Sequence, residues 1–328
     1  MERLIAINKV SVIVGSGRKY SIIPADHAVC FRYGQSKIRE KKKMRKTGRR
    51  QTAAIMYDFD KTLCTRDMQE YSFIPGLGIS AKAFWDEASK LSDSGMDKIL
   101  AYMYLMLKKA READKPIKRE NFVEMGKDID FFAGVTGWFD RITAYGEERN
   151  LTIEHYIISS GLKEIIEGSH IRDKFKKIYA CEFHYDANGA ADWPCVSVNY
   201  TTKTQFLFRI NKGVLDFSDD AALNRFVPDD ERPVPFRNMV YIGDGMTDVP
   251  CMKIVKANGG RSIAVYRKGQ KKKVEDLLVH NRVDFVSPAD YSEGGDLDSL
   301  VRKIIDSMTV TNDLVESHLR QVRSFRER

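Results

Sequence analysis

Ala53-Ala54-Ile55-Met56-Tyr57-Asp58-Phe59-Asp60-Lys61-Thr62 is the stretch whose reading decides the fold. An apolar run followed at once by two acids one residue apart predicts a buried strand that ends in a loop. Side chains alternate along a strand, so Asp58 and Asp60 project together beyond its C-terminal end while Phe59 turns away. Open α/β sheets build their sites at the carboxyl ends of their strands. The pattern returns in Met239-Val240-Tyr241-Ile242 followed by Gly243-Asp244-Gly245-Met246-Thr247-Asp248. Carboxylates on two strand tips, Asp58, Asp60, Asp244 and Asp248, point to a divalent cation held by hard oxygen donors.

Two quieter signals lie between these motifs. Ile153 to Ile158 reads as a further strand, ending in Ser159-Ser160-Gly161, which offers hydroxyl and backbone N–H donors ahead of a helix expected near Leu162. Anions sit well at such a helix start. Lys203 opens an amphipathic stretch to Lys212, with Phe206, Leu207 and Ile210 at helical spacing, and points an ammonium toward the same cleft. Lys212 competes for that role, but Gly213 beside it marks a helix end, which favours Lys203.

Acid pair, hydroxyl, lysine, acid pair, in that order, resembles the haloacid dehalogenase superfamily of phosphatases and phosphotransferases. The resemblance spans roughly residues 53 to 308 and rests on four motifs in sequence. It implies Asp58 as nucleophile, Asp60 as general acid and base, and Ser159 as the phosphate-binding hydroxyl, with Ser160 the alternative and Gly161 beside them. It implies Lys203 as the lysine and Asp244 with Asp248 as the acidic metal motif. The fold it implies is a doubly wound, mostly parallel Rossmann-like α/β sheet with an inserted α-helical cap, similar to the phosphoserine phosphatase branch.

The chemistry is consistent with these residue types. A carboxylate with an ordinary pKa of about 3.9 is ionised at neutral pH, so Asp58 needs no base to act as a nucleophile. A phosphomonoester is itself an anion, and Mg²⁺ together with a lysine must offset the field of the clustered acids. Asp60 must carry a proton to protonate an alkoxide leaving group, and the neighbouring carboxylate charge shifts it in that direction. This second acid favours phosphate esters over haloacids. Thr62 is expected to close the turn by hydrogen bonding. Asp60-Lys61-Thr62 also resembles the nucleophile motif of ion-pumping ATPases, but no run of about 18 apolar residues is present to cross a membrane.

The expected activity is therefore Mg²⁺-dependent hydrolysis of a small phosphorylated metabolite through an aspartyl-phosphate. A phosphotransferase or mutase on the same core is the alternative among enzymes, and a binding protein on an inactive scaffold the alternative outside them. The presence of every motif acid argues against the last. Cap residues such as Arg66, Tyr71 and Lys82 have no assignable role from sequence.

Composition fits an intracellular, cytoplasmic enzyme. The 328 residues are enough for about two folding units. Five scattered cysteines make a disulfide framework an unfavoured reading. Cys181, His184 and Cys195 match no common zinc spacing, and buried free thiols are expected instead. The net charge of +8 is a property of one end. Residues 1 to 50 hold fourteen Lys or Arg against three acids, a net +11, which leaves residues 51 to 328 at −3. Lys37 to Arg50 has little to fold around, so a disordered basic tail is expected. Nucleic-acid binding by that tail is the secondary reading, since it lacks interleaved aromatics. Asn8 and Lys9 interrupt the apolar stretch that a signal peptide would need.

Beyond the first strand, residues 65 to 135 read as the helical cap. Ala81 to Leu91 follows Ser80, a stronger helix runs from Asp97 to Ala113, and a short piece covers Lys118 to Met125. Ile99, Met103, Met106 and Ala110 share one face, and with Tyr102 and Tyr104 are expected to form the cap's own core. Residues 51–64 and 136–310 are assigned to the α/β core. Within them a helix from Gly137 to Glu147, a strand from Lys177 to Phe183 and a β segment from Cys195 to Asn199 are expected. A loop-rich excursion from Asp216 to Pro235 comes next, with strands at Ser262 to Tyr266 and Asp284 to Val286. Residues 311 to 328 are assigned to a C-terminal tail.

Overall fold

The computed structural model describes residues 50–327; the readings made for residues 1–49, including the basic tail and Cys30, lie outside them. Strand β1 (Gln51–Tyr57) is central, and its last five residues are buried on both faces. Its uninterrupted apolar run is the signature of a strand covered by helices on both sides. β1 pairs in parallel with β2 (Leu151–Leu162) on one side and with β5 (Met239–Gly243) on the other. Outward from β2 lie β3 (Lys177–Tyr185) and the antiparallel edge strand β4 (Ala191–Val196). Outward from β5 lie β6 (Arg261–Tyr266) and β7 (Phe285–Pro288), giving the order β4-β3-β2-β1-β5-β6-β7. The chain builds first to one side of β1 and then to the other. The crevice at the carboxyl ends of β1 and β5 is the switch point of a doubly wound sheet.

β4 begins four residues earlier than the sequence suggests. Pro194 hides it, because proline withholds a ladder N–H and reads as a break, yet an edge strand has a free side that tolerates it.

The inserted segment contains α1 (Ala81–Asp93) and α2 (Lys98–Glu112). Ser80 caps α1 by accepting from Ala83 N, and Asp97 caps α2 by accepting from Ile99 N and Leu100 N, the helix starts that their side chains announce. Met103, Met106 and Ala110 are buried as expected. Tyr104 is nearly half exposed, whereas Tyr102 is buried in the core as expected, against Trp85, and also donates its hydroxyl to Ser160 O at 2.7 Å.

α3 (Arg119–Met125) ends the insertion, α4 (Val135–Glu147) leads into β2, and α5 (Lys163–Gly168) follows it. α3 and α5 meet backbone to backbone. A Cβ on Gly168 would lie 1.7 Å from Val123 O, and one on Gly126 2.2 Å from Ile165 O. Only glycine permits that approach.

α6 (Lys203–Lys212) ends on Gly213, whose φ of 69° supplies the left-handed cap. The excursion after it is tied down from α6. Buried Arg209 donates to Asp216 O, Phe217 O and the Asp220 carboxylate, and Lys212 Nζ donates to Leu223 O and Arg225 O. α7 (Val249–Ala257) and α8 (Lys272–Val279) flank β5 to β7. α9 (Asp296–Arg326) is one continuous helix, so residues 311 to 326 are not a tail. No glycine or proline interrupts this stretch, and Arg237 Nε to Asn312 Oδ1 and Gln51 Nε2 to Glu316 Oε1 hold it to the sheet.

Candidate active site

The tips of β1 and β5 bring Asp58 and Asp244 side by side. Asp58 N donates to Ile242 O at 2.9 Å, extending the β1–β5 pairing by one bond past the last strand residue. Behind it, the loop turns by backbone bonds, with the N–H groups of Leu63 and Cys64 both directed at Phe59 O and Lys61 at φ 56°. Thr62 closes this turn as expected, but through its backbone, whose N–H donates to Phe59 O at 3.3 Å. Its buried Oγ1 has no partner among the described residues, while its carbonyl accepts from Tyr291 OH.

One carboxylate oxygen each from Asp58, Asp244 and Asp248 gather within 4.8 Å of one another. Lys203, fully buried at the start of α6, inserts between two of them, with Nζ 2.7 Å from Asp248 Oδ1 and 3.1 Å from Asp58 Oδ2. Tyr241 OH also donates to Asp248 Oδ1 at 2.8 Å, whereas the buried Asp248 Oδ2 has no partner among the described residues. Gly243 makes room for that oxygen, since a Cβ there would meet it at 2.5 Å. Lys212, the other candidate lysine, is spent on the excursion and does not reach the cluster.

Asp60 was expected in the acid set, but its carboxylate lies outside the three-acid group. Its Oδ1 accepts from Met68 N at 2.8 Å, drawn there by a free backbone donor at the start of a 3₁₀ turn, Met68–Glu70. Ser159 is fully buried and its Oγ accepts from Gly161 N at 3.1 Å, so that N–H is already used. Ser160 Oγ is buried without a partner. The helix start expected at Leu162 falls one residue later, because β2 runs on in extended form through Ser159, Ser160 and Gly161. These residues thus present themselves from a strand tip, not from the first turn of a helix. Gly161 lies against the Asp60 loop, where a Cβ would meet Met68 Cε at 2.1 Å and Asp60 Oδ2 at 2.9 Å.

Burial and mutual repulsion set the protonation of the cluster. Asp58 is pushed up to about 6 by burial and by Asp248, against the pull of Lys203. Asp244 is pushed up to about 8 by burial, then by Asp248 and Asp58. Burial also leads for Asp60, which stands well above the ordinary carboxylate range, with Asp67 and Asp58 adding their charges. The stronger neighbouring charge is that of Asp67, not of the nucleophile candidate Asp58 that the sequence suggested. For Lys203, burial opposes the charge, but Asp248 and Asp58 outweigh it and hold the ammonium above the usual lysine range.

Two buried acids and the partly buried Asp244 against one buried lysine leave negative charge uncompensated, and among the described residues one buried carboxylate oxygen is without a partner. An all-oxygen set with that deficit fits a hard divalent cation such as Mg²⁺, with Asp58, Asp244 and Asp248 as the residues to hold it. Cys181, His184 and Cys195 form no such group. Cys181 Sγ turns to Ser160 O, His184 pairs with Asp192, and Cys195 is exposed, the one described cysteine that is not buried as expected.

The cluster opens into a cleft of about 540 Å³ between the strand tips and the insertion. Asp67, Gln69, Trp85, Ile99 and Tyr102 line its far side. Arg66, Tyr71 and Lys82 do not: Arg66 stacks on the Tyr71 ring, whose hydroxyl contacts Thr65, and Lys82 pairs with Asp86.

A doubly wound sheet with acids and a buried lysine at its switch point defines an enzyme of the α/β class. The chain belongs to the haloacid dehalogenase-like hydrolase family, whose family model matches residues 55–253. An uncharacterized protein of Borreliella burgdorferi is 30% identical over 269 residues, covering 74% of this chain and 92% of the relative. Among solved structures, a HAD family hydrolase from Salmonella enterica serovar Typhi is similar with a TM-score of 0.51 at 17% identity, covering 76% of this chain and 70% of that one. A substrate-bound phosphoserine phosphatase complex is similar with a TM-score of 0.50 at 14% identity, covering 77% of this chain and 98% of that one. At such identities these structures speak for the fold. Among the described residues, no helix is long and apolar enough to cross a membrane.

Proposed function

We propose that this hydrolase is a Mg²⁺-dependent phosphomonoesterase that passes the phosphoryl group of a small ester to Asp58 and then to water. The observation that carries the reading is Lys203, buried between Asp248 and Asp58, the latter lining the cleft together with Ser159 and Asp244. A cation fixed there has no structural need that two apolar residues would not meet better. An anionic substrate gives it one.

In this reading Asp58, at about 6, is mostly ionised at neutral pH and attacks phosphorus in line with the departing oxygen. Phe59 N, donating to Asp58 Oδ1 at 2.8 Å, orients the carboxylate. Lys203 and the Ser159 hydroxyl neutralise and hold phosphoryl oxygens, with Ser160 Oγ free to add a third donor. Asp60, whose affinity for a proton is raised by burial, delivers one to the leaving alkoxide. Left ionised, it then takes a proton from the water that hydrolyses the aspartyl-phosphate. Bound Mg²⁺ would supply positive charge against the three carboxylates and the ester.

A panel of phosphorylated metabolites, assayed for phosphate release with Mg²⁺, tests the reading. Release from at least one small monoester, lost in Asp58→Asn, is expected. A panel that releases no phosphate, or an Asp58→Asn variant with full activity, overturns it.

A further inference from the structure

Gln69 follows Met68, the residue whose backbone N–H holds Asp60, so it stands where a leaving group would emerge beside the general acid. Its side chain is only 2% exposed, lines the cleft, and its Oε1 has no hydrogen-bond partner among the described residues. Burying an amide without a partner is costly, and native structures rarely tolerate it without a reason. The polar groups around it are already committed. Trp85 Nε1 donates to Glu70, Tyr102 OH donates to Ser160 O, and Asp67 is paired with Lys61. On this side of the cleft Trp85, Ile99 and Tyr102 form an apolar wall with one unanswered amide oxygen in it, and Ser89, Ser92, Asp93 and Lys98 complete the lining from α1 and α2.

Resting on the phosphatase reading, we infer that Gln69 selects the substrate's alcohol portion: a group with a flat apolar body and an amide-type N–H that donates to Gln69 Oε1. The body lies against Trp85, Ile99 and Tyr102, and a primary amide offers one acceptor and two donors to a carboxamide or lactam edge. A site built to hydrogen-bond its substrate rejects the analogue that lacks the group much more strongly than a purely apolar pocket does.

The test compares benzyl phosphate, 3-carbamoylbenzyl phosphate and 4-nitrophenyl phosphate on the full-length protein with Mg²⁺. The wild type is expected to prefer the carbamoyl ester over the benzyl ester by about tenfold or more in kcat/KM, the scale of one net hydrogen bond. Gln69→Leu is expected to bring that ratio close to one, while its rate on 4-nitrophenyl phosphate stays within about threefold of wild type. The same variant should melt at a higher temperature, since an unpartnered buried amide gives way to an apolar group of similar size. The alcohol product gives a readout without turnover: 3-carbamoylbenzyl alcohol should raise the wild-type Tm and leave that of Gln69→Leu unchanged, and benzyl alcohol should raise neither. A wild-type ratio near one, an equal loss on all three esters, or a lower Tm for Gln69→Leu would overturn the assignment while the phosphatase reading stands. Three inert esters with selective stabilisation by the carbamoyl alcohol would sink the phosphatase reading and keep the pocket, and inert esters without it would sink both.

Discussion

Lys203 Nζ lies 2.7 Å from Asp248 Oδ1, and both side chains are withdrawn completely from solvent. Removing one partner of such a pair leaves the other charge buried alone, which costs about 3–5 kcal/mol. Lys203→Met is therefore expected to be strongly destabilised in urea unfolding as well as inactive. Lys203→Met/Asp248→Asn should recover much of the stability and none of the activity. Strictly additive losses would show that the two side chains are not coupled.

Asp58→Asn should abolish turnover yet leave the metal-free protein at least as stable as wild type. The amide keeps the carboxylate's shape and removes one of the charges that Asp244 and Asp248 must face in a buried site. Thermal unfolding in EDTA reads the stability, and a marked fall in Tm would contradict the repulsion argument.

Asp60→Asn separates proton transfer from phosphoryl transfer. With alkyl esters the rate should drop by about two to four orders of magnitude, the usual worth of a general acid. 4-Nitrophenyl phosphate, whose leaving group needs little protonation, should lose far less. Equal losses on both substrates would remove Asp60 from the role of acid.

EDTA should inactivate the enzyme, and Mg²⁺ should restore it and raise its Tm. Asp244→Ala should lose both responses, because the donor set is reduced to Asp58 and Asp248. Undiminished activity after exhaustive removal of metal would exclude the cation.

His155 gives stability a pH dependence of its own. Trp138 Nε1 donates to Tyr57 OH, which leaves the Tyr57 proton for His155 Nδ1, so the ring is neutral and its Nε2–H faces Thr143 Oγ1. Burial depresses its pKa from 6.5 to about 4. A depressed folded pKa means that the unfolded chain binds the proton more readily. The contribution is fully present above about pH 6.5 and is lost as the pH falls through 4, amounting to about 3 kcal/mol at most. Urea unfolding between pH 7 and 4 should show the loss, and His155→Gln should flatten it. An identical slope in the variant would place the titration elsewhere.

Much of the site was legible because its residues follow local rules. Asp58 and Asp60 terminate an apolar run, Asp97 and Ser80 sit where helices need caps, and Gly213 marks the end of α6, which favoured Lys203 over Lys212. What sequence reasoning missed depends on contacts made far along the chain. The placement of Gln69 and Trp85 in the cleft follows from how the insertion folds back over the strand tips, and nothing in their neighbours announces it. The helix start near Leu162 was legible, but the strand running up to it was not, because Ser159 and Gly161 satisfy each other in extended form, where the same residue types are familiar as helix caps. Tyr102 is buried in the core as its helical position implied, but its hydroxyl contact with Ser160 O was not legible, because periodicity reports only that a face is buried. It does not say whether the neighbour is another helix or a strand tip.

The glycine pair that lets α3 and α5 touch bears on how hydrolases of this kind can be recombined. Gly126 belongs to the inserted segment and Gly168 to the sheet's own helical layer, and each leaves space that the opposite carbonyl occupies. A chimaera that exchanges the whole insertion, residues 65 to 135, therefore splits a matched set. Any donor segment with an alanine at the position of Gly126 would drive a methyl group into the backbone of α5. The workable junctions lie inside the insertion, before α1 and after α2, so that α3 stays with the host and only the two helices facing the cleft change hands.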